Sequence, residues 1–251
     1  MTRTTRGQRL KESQHVYRYM PCDDEIARLT REALVPKIRA DTWDGFEWLR
    51  VGRGSRVLEI GCGGSYLAPL LTMRGAEVVG CDISFRGAEV AQKIARQVTS
   101  GGGPSFVLAD ATQLAFADAS FDGVYGSGVL HHLPLAAARS EILRVLKPGG
   151  NAFFVEPLIH NPLLKLYRRL NRAKYTPGER PLSFDNVDEW SLGFSSSDHR
   201  EYQLLSILAH MLEDRAPRAA VRWLEAADSL LRRGPKILRK QFRYVLIRLT
   251  R

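Results

Sequence analysis

Residues 57–65 read Val57-Leu58-Glu59-Ile60-Gly61-Cys62-Gly63-Gly64-Ser65, a short apolar run that breaks into glycines directly ahead of a segment with helical periodicity. The run Arg56–Ile60 predicts a strand and YLAPLLTMRG (66–75) a helix. Glycines at a strand-to-helix turn let the backbone come close to a ligand and leave helix N-terminal N–H groups pointing at it.

The next strand, EVVGCD (77–82), ends in Asp82, roughly 20 residues beyond the glycines, where a carboxylate can accept both hydroxyls of a ribose. The third, SFVLAD (105–110), also ends in an acid, Asp110. A dinucleotide turn would follow G-x-G-x-x-G, but Tyr66 stands where its third glycine belongs. Glu59 lies two residues before Gly61, where its charge would repel a pyrophosphate and suit a cationic ligand. Acids at three successive strand ends therefore favour a cationic adenosyl ligand over a dianionic one.

Working outward, strand-like and helix-like segments alternate: SFRGAEVAQKIARQV (84–98), FDGVYGSG (121–128), AAARSEILRVL (136–146) and NAFFVE (151–156) continue the series. Such alternation predicts an α/β fold, a doubly wound Rossmann-like parallel sheet with helices on both faces. Gly75, Gly101-Gly102-Gly103-Pro104 and Lys147-Pro148-Gly149-Gly150 mark the breaks. Residues 1–50 read as a helical lead-in covering part of the sheet or its pocket, 51–157 as the core, and 158–241 as a basic helical insertion. The tail 242–251 reads as a returning strand, with a basic amphipathic membrane-surface helix as the competing reading of 236–249. One integrated domain is expected.

The chain has 251 residues, 44% hydrophobic and 25% charged, enough for a sizeable core and unlike disordered or fibrous sequences. Its formal net charge of +10 is uneven. Residues 1–157 hold 19 basic and 17 acidic side chains, and residues 158–251 hold 18 and 10. An anionic partner, nucleic acid or a membrane surface, would meet the C-terminal third. Cys22, Cys62 and Cys81 show no disulfide or zinc spacing, and no long apolar run appears, so a cytoplasmic protein without a transmembrane segment is expected.

Four stretches, VLEIGCGGSYLAPLL (57–71), VVGCD (78–82), ADATQLAFADASFDGVYGSGVLHHLP (109–134) and EILRVLKPGGNAFFVEP (141–157), carry a resemblance to a known family. In order and spacing the chain resembles a class I S-adenosylmethionine-dependent methyltransferase of the UbiE-like, type 11 small-molecule group, of bacterial character. The resemblance covers 56–157 closely and implies a seven-stranded sheet whose last strand is antiparallel, with helical lids. It implies S-adenosylmethionine as cofactor and S-adenosylhomocysteine as product. Glu59, Gly61, Cys62 and Gly63 would hold the methionine part, Ser65 replacing the family's last glycine. Asp82 would take the ribose with Ile83 beside the adenine, Asp110 and Ala111 the adenine edge, and Gly126 and Ser127 the region of the methyl donor. Tyr17 would close over the cofactor from the N-terminal helix.

Methyl transfer from a sulfonium is an in-line displacement that depends chiefly on alignment. A base matters only where the acceptor loses a proton, and His131 or His132 would supply it. Both also fit a purely scaffolding His-His-Leu-Pro turn. Glu156 would position an acceptor or cap a loop. Cys62 and Cys81 read as small packing groups, and Trp43, Trp48, Trp190 and Trp223 as core or lid packing. No metal constellation is evident in the sequence, so no metal dependence is expected.

The expected function is methyl transfer to O, N or C of a small, partly apolar acceptor of natural-product type. The alternatives are an RNA or protein acceptor, a cofactor-binding protein of the same fold that acts as cyclase or scaffold without methylating, and, furthest from the motif, a nicotinamide-dependent oxidoreductase.

Overall fold

The computed structural model describes residues 20–34, 39–99, 102–172, 179–207 and 217–251. Five parallel strands, β1 (Arg56–Ile60), β2 (Glu77–Asp82), β3 (Ser105–Leu108), β4 (Phe121–Ser127) and β5 (Leu146–Pro157), lie in the order β3-β2-β1-β4-β5. β6 (Ser196–Tyr202) and β7 (Tyr244–Thr250) complete a seven-stranded sheet, β7 antiparallel to both β5 and β6. The order reverses between β1 and β4, and that crevice at the carboxyl ends of the strands is where such sheets bind ligands.

β1, β2 and the second half of β5 are buried almost throughout because helices cover both faces. Helix α3 (Ala40–Leu49) buries Phe46 and Leu49 on one face. There Gly45 is required, since a Cβ would stand 2.4 Å from the Phe153 ring. Helix α4 (Leu67–Met73) follows β1 and stops before Gly75, whose φ of +91° is a left-handed conformation suited to glycine. Helix α5 (Phe85–Val98) buries Val90, Ala91, Ile94, Ala95 and Val98, part of that stripe against Ile26, Leu29 and Leu34 of the lead-in, which includes the short helices α1 (Asp23–Ala27) and α2 (Arg31–Leu34). On the other face lie α6 (Leu135–Val145) and α8 (Phe184–Ser191), with α7 (Pro162–Leu170) between them in sequence. Trp190 of α8 is fully buried, edge-on to Phe154 with ring centroids 5.1 Å apart. Helices α9 (Arg218–Leu231) and α10 (Lys236–Arg239) lead into β7.

The tail is the returning strand, not a surface helix, with Val245, Leu246, Ile247 and Leu249 buried. The basic insertion is not wholly helical: it contains β6, SSDHREY, a polar edge strand that the composition concealed. Its stability comes from full-length pairing with apolar β7 and from Glu201, which is buried and bound by Arg239 at 2.7 Å. Strand β3 ends at Leu108, so Asp110 lies beyond it in an isolated bridge with Gln113. Lys147-Pro148-Gly149-Gly150 belongs to β5, where the register shifts between Phe121 and Gly123. Trp223 is 77% exposed and packs in no core, unlike buried Trp190.

Candidate functional site

A cavity of about 540 Å³ opens at the crevice between β1 and β4. The turn after β1 forms its floor. Gly61 has φ of +69°, and a Cβ there would strike Val129 at 2.7 Å, so only glycine fits. The N–H groups of Gly61 and Cys62 both donate to the Cys81 carbonyl, at 2.8 and 3.0 Å, locking the turn onto β2. Ser65, in place of a glycine, accepts from the Ala68 N–H at 3.2 Å and so closes the first turn of α4.

Asp82 ends β2 and accepts from Gly63 N–H at 3.0 Å and Ser84 N–H at 2.9 Å, which fixes its carboxylate at the cavity wall beside Ile83. Asp110 accepts from the N–H and Oγ1 of Thr112, at 3.0 and 2.7 Å, in an Asx turn that presents Asp110 and Ala111 to the same cavity. Glu59 is buried, and burial pushes its carboxyl up to about 8, with Ser65 and Tyr125 beside it pulling the other way. Its Oε2 and the Tyr125 hydroxyl are buried without a hydrogen-bond partner among the described residues. Burial also pushes the Cys62 thiol up, so it lines the cavity as an apolar group.

The expected site residues separate at the other end. Ser127 and His132 line the cavity, whereas Gly126 lies behind it in the sheet, where a Cβ would meet Val129 at 2.8 Å. Burial drives His132 down to about 4, aided by neighbouring His131, so its ring is neutral at physiological pH. His131 faces away into a network. Its Nδ1 is 2.6 Å from Glu156 Oε2, and its Nε2 is 3.6 Å from Glu179 Oε1. Glu156 is fully buried and accepts from the N–H groups of Val129 and Leu130, each at 2.8 Å. Of its two expected roles it therefore takes the cap, holding the turn that presents His132. Tyr17 lies outside the described residues.

Sequence reasoning missed Arg39 and Thr42, which line the cavity from the lead-in. Arg39 is held by Asp41 at 3.0 Å and stacks over Tyr244 at 4.2 Å, and its Nη2 is buried without a partner among the described residues. It also missed that Glu179, which no ligand spacing marks, joins His131 and His132 in a group whose ligand atoms lie within 4.8 Å of one another.

An adenosyl sulfonium ligand fits these residues. The buried Glu59 carboxyl and Tyr125 hydroxyl suit a donor such as an ammonium group, the glycine floor admits close backbone approach, and Asp82 and Asp110 present carboxylates to the same cavity.

Residues 58–154 match a family model described as "Methyltransferase domain". An O-methyltransferase of Pyrenophora dematioidea is 39% identical over 104 residues, 41% of this chain and 39% of that protein. The ubiquinone biosynthesis O-methyltransferase of Paracidovorax citrulli is 37% identical over 106 residues, 41% of this chain and 43% of that protein. The chain thus matches less than half the length of these fungal and bacterial relatives. Among solved structures, a SAM-dependent methyltransferase from Archaeoglobus fulgidus superposes with a TM-score of 0.59 at 19% identity, covering 91% of this chain and 97% of that one. Phosphoethanolamine N-methyltransferase 2 of Haemonchus contortus, solved with S-adenosyl-L-methionine, gives 0.57 at 19% identity, covering 83% of this chain and 51% of that one. With the sheet order and the glycine turn, these matches show a methyltransferase domain over residues 58–154 and the class I methyltransferase fold for the chain.

Proposed function

We propose that this protein transfers a methyl group from S-adenosylmethionine to O, N or C of a small, partly apolar acceptor. The observation that carries the reading is the single cavity wall on which Glu59, the glycine turn, Asp82, Asp110 and His132 converge. Asp82 would accept from the ribose hydroxyls, Asp110, Ala111 and Ile83 would hold the adenine, and Glu59 with Gly61 and Gly63 the amino-acid end. The cofactor supplies an electrophilic methyl group on a sulfonium. The chain aligns the acceptor: Ser127, Val129, Leu133 and Thr42 shape the space beside His132, and Arg39 offers an acceptor oxygen its Nη2, which has no hydrogen-bond partner among the described residues. Where the acceptor gives up a proton, neutral His132 receives it at a ring nitrogen. Relatives named as O-methyltransferases support a small organic acceptor and favour oxygen as its reacting atom.

Titration of the purified chain with S-adenosylhomocysteine tests the cofactor assignment. One-to-one binding is the expected result; binding of reduced nicotinamide cofactor in its place would contradict it.

The apolar acceptor is drawn from an anionic membrane surface. On α7, Leu163, Leu166, Tyr167 and Leu170 form one exposed apolar stripe at helical spacing, flanked by Lys165, Arg168, Arg169 and Arg172. No helix among the described residues is long and apolar enough to cross a membrane. Sedimentation with phosphatidylglycerol vesicles but not phosphatidylcholine vesicles is expected, and weakened by Leu166→Glu; equal recovery with and without vesicles contradicts surface contact.

A further inference from the structure

We infer that His131, His132 and Glu179 form a binding site for one divalent transition-metal ion beside the cavity. Glu156 accepts the Val129 and Leu130 N–H groups, and its other oxygen, Oε2, lies 2.6 Å from His131 Nδ1. Glu156 thus holds Nδ1 and turns the ring so that Nε2 faces Glu179 Oε1 at 3.6 Å, a separation too long for a hydrogen bond. It is close to the ~3.4 Å between two ligands that each sit about 2.0–2.1 Å from a tetrahedral centre.

The second ring completes the set. His132 packs on His131 with centroids 4.0 Å apart and the rings tilted by 40°, and its ligand atom falls within 4.8 Å of the others. Arg168 lies 2.7 Å from Glu179 Oε1, and the His131, Glu156 and Glu179 side chains are only 6%, 0% and 11% exposed, so the group is largely withdrawn from bulk water. Arg168 fixes Glu179 toward the rings, and Glu156 orients His131 as carboxylates orient metal-bound histidines.

Two imidazoles and one carboxylate suit Zn²⁺, Co²⁺ or Fe²⁺; Mg²⁺ and Ca²⁺ prefer sets made only of oxygen. Because His132 lines the cavity, the ion would stand at the acceptor's side, where it would polarise an acceptor oxygen and, with His132 committed to it as a ligand, take the place of His132 as the group that eases loss of the acceptor's proton. Metal binding itself does not depend on the methyl-transfer reading.

The test is titration of the metal-stripped chain, free of any histidine tag, with Co²⁺ and Zn²⁺. One equivalent of each should bind, Co²⁺ should give visible d–d bands, and Zn²⁺ should displace it. Glu179→Gln and His132→Asn should each weaken Co²⁺ at least tenfold, and Glu156→Gln about 10–100-fold, with melting curves showing each variant folded. Absence of stoichiometric binding, or binding unchanged in both Glu179→Gln and His132→Asn, would overturn the inference. A chain that binds Co²⁺ at this site but no S-adenosylhomocysteine would instead overturn the methyl-transfer reading.

Discussion

Asp82 Oδ2 accepts the Gly63 N–H at 3.0 Å, so the acid that ends β2 also clamps the glycine turn that follows β1. The two halves of the cofactor site are therefore one mechanical unit. Removal of this carboxylate loosens the turn and leaves the ribose hydroxyls unmatched. Asp82→Ala should weaken S-adenosylhomocysteine binding by about 1.5–3 kcal/mol, the scale of hydrogen bonds to a charged group. Calorimetric titration checks this, and unchanged affinity would remove Asp82 from the site.

Glu59 gives a pH signature. Its folded pKa of about 8 lies above the ordinary value of 4.5, so the folded chain binds a proton that the unfolded chain releases. Stability from this group is complete below about pH 4.5 and declines as pH rises to about 8. Glu59→Gln should flatten that slope in thermal melts between pH 5 and 8. A cationic amino group in the cavity favours the ionised acid, so cofactor affinity should rise over the same interval, by at most about tenfold per pH unit. A pH-independent wild-type affinity contradicts that contact.

His132 acts in the opposite sense. Its folded pKa of about 4 lies below the ordinary 6.5, so its contribution to stability is present above about pH 6.5 and is lost as pH falls toward 4. For an acceptor that loses a proton, His132→Gln should lower kcat by about 10²–10⁴-fold without changing cofactor affinity. The wild-type rate should show no histidine-dependent fall until pH approaches 4. Normal turnover in the variant would leave alignment as the sole mechanism.

Trp190 anchors α8 to the sheet through Phe154. Trp190→Ala should cost about 3–5 kcal/mol in denaturant unfolding, as large cavities in a buried core do. A loss below ~1 kcal/mol would mean that the site collapses around the gap.

The core was legible because parallel strands buried on both faces must be apolar and their turns must carry glycine, so 56–157 announced itself through RVLEI, EVVGCD and the Gly61–Gly64 turn. The polar edge strand β6 gave no such signal, since its partner β7 holds it. Asp82 was readable as an acid at a strand end, whereas β3 stops at Leu108 and Asp110 reaches the cavity from the turn beyond it. The division of labour between His131 and His132 was not: adjacent in sequence, they part because Glu156, 25 residues beyond His131, captures only one ring. Arg39, Thr42 and Glu179 reach the site by folding across long stretches of chain, with no local pattern that types them as ligands.

The most direct measurement of the central claim is transfer of label from methyl-labelled S-adenosylmethionine into an extract of the source cells, separated into organic-soluble molecules, RNA and protein. The account predicts label in the organic-soluble fraction, greatly reduced with Asp82→Ala. Label confined to RNA or protein, or no label from a chain that demonstrably binds the cofactor, would contradict it.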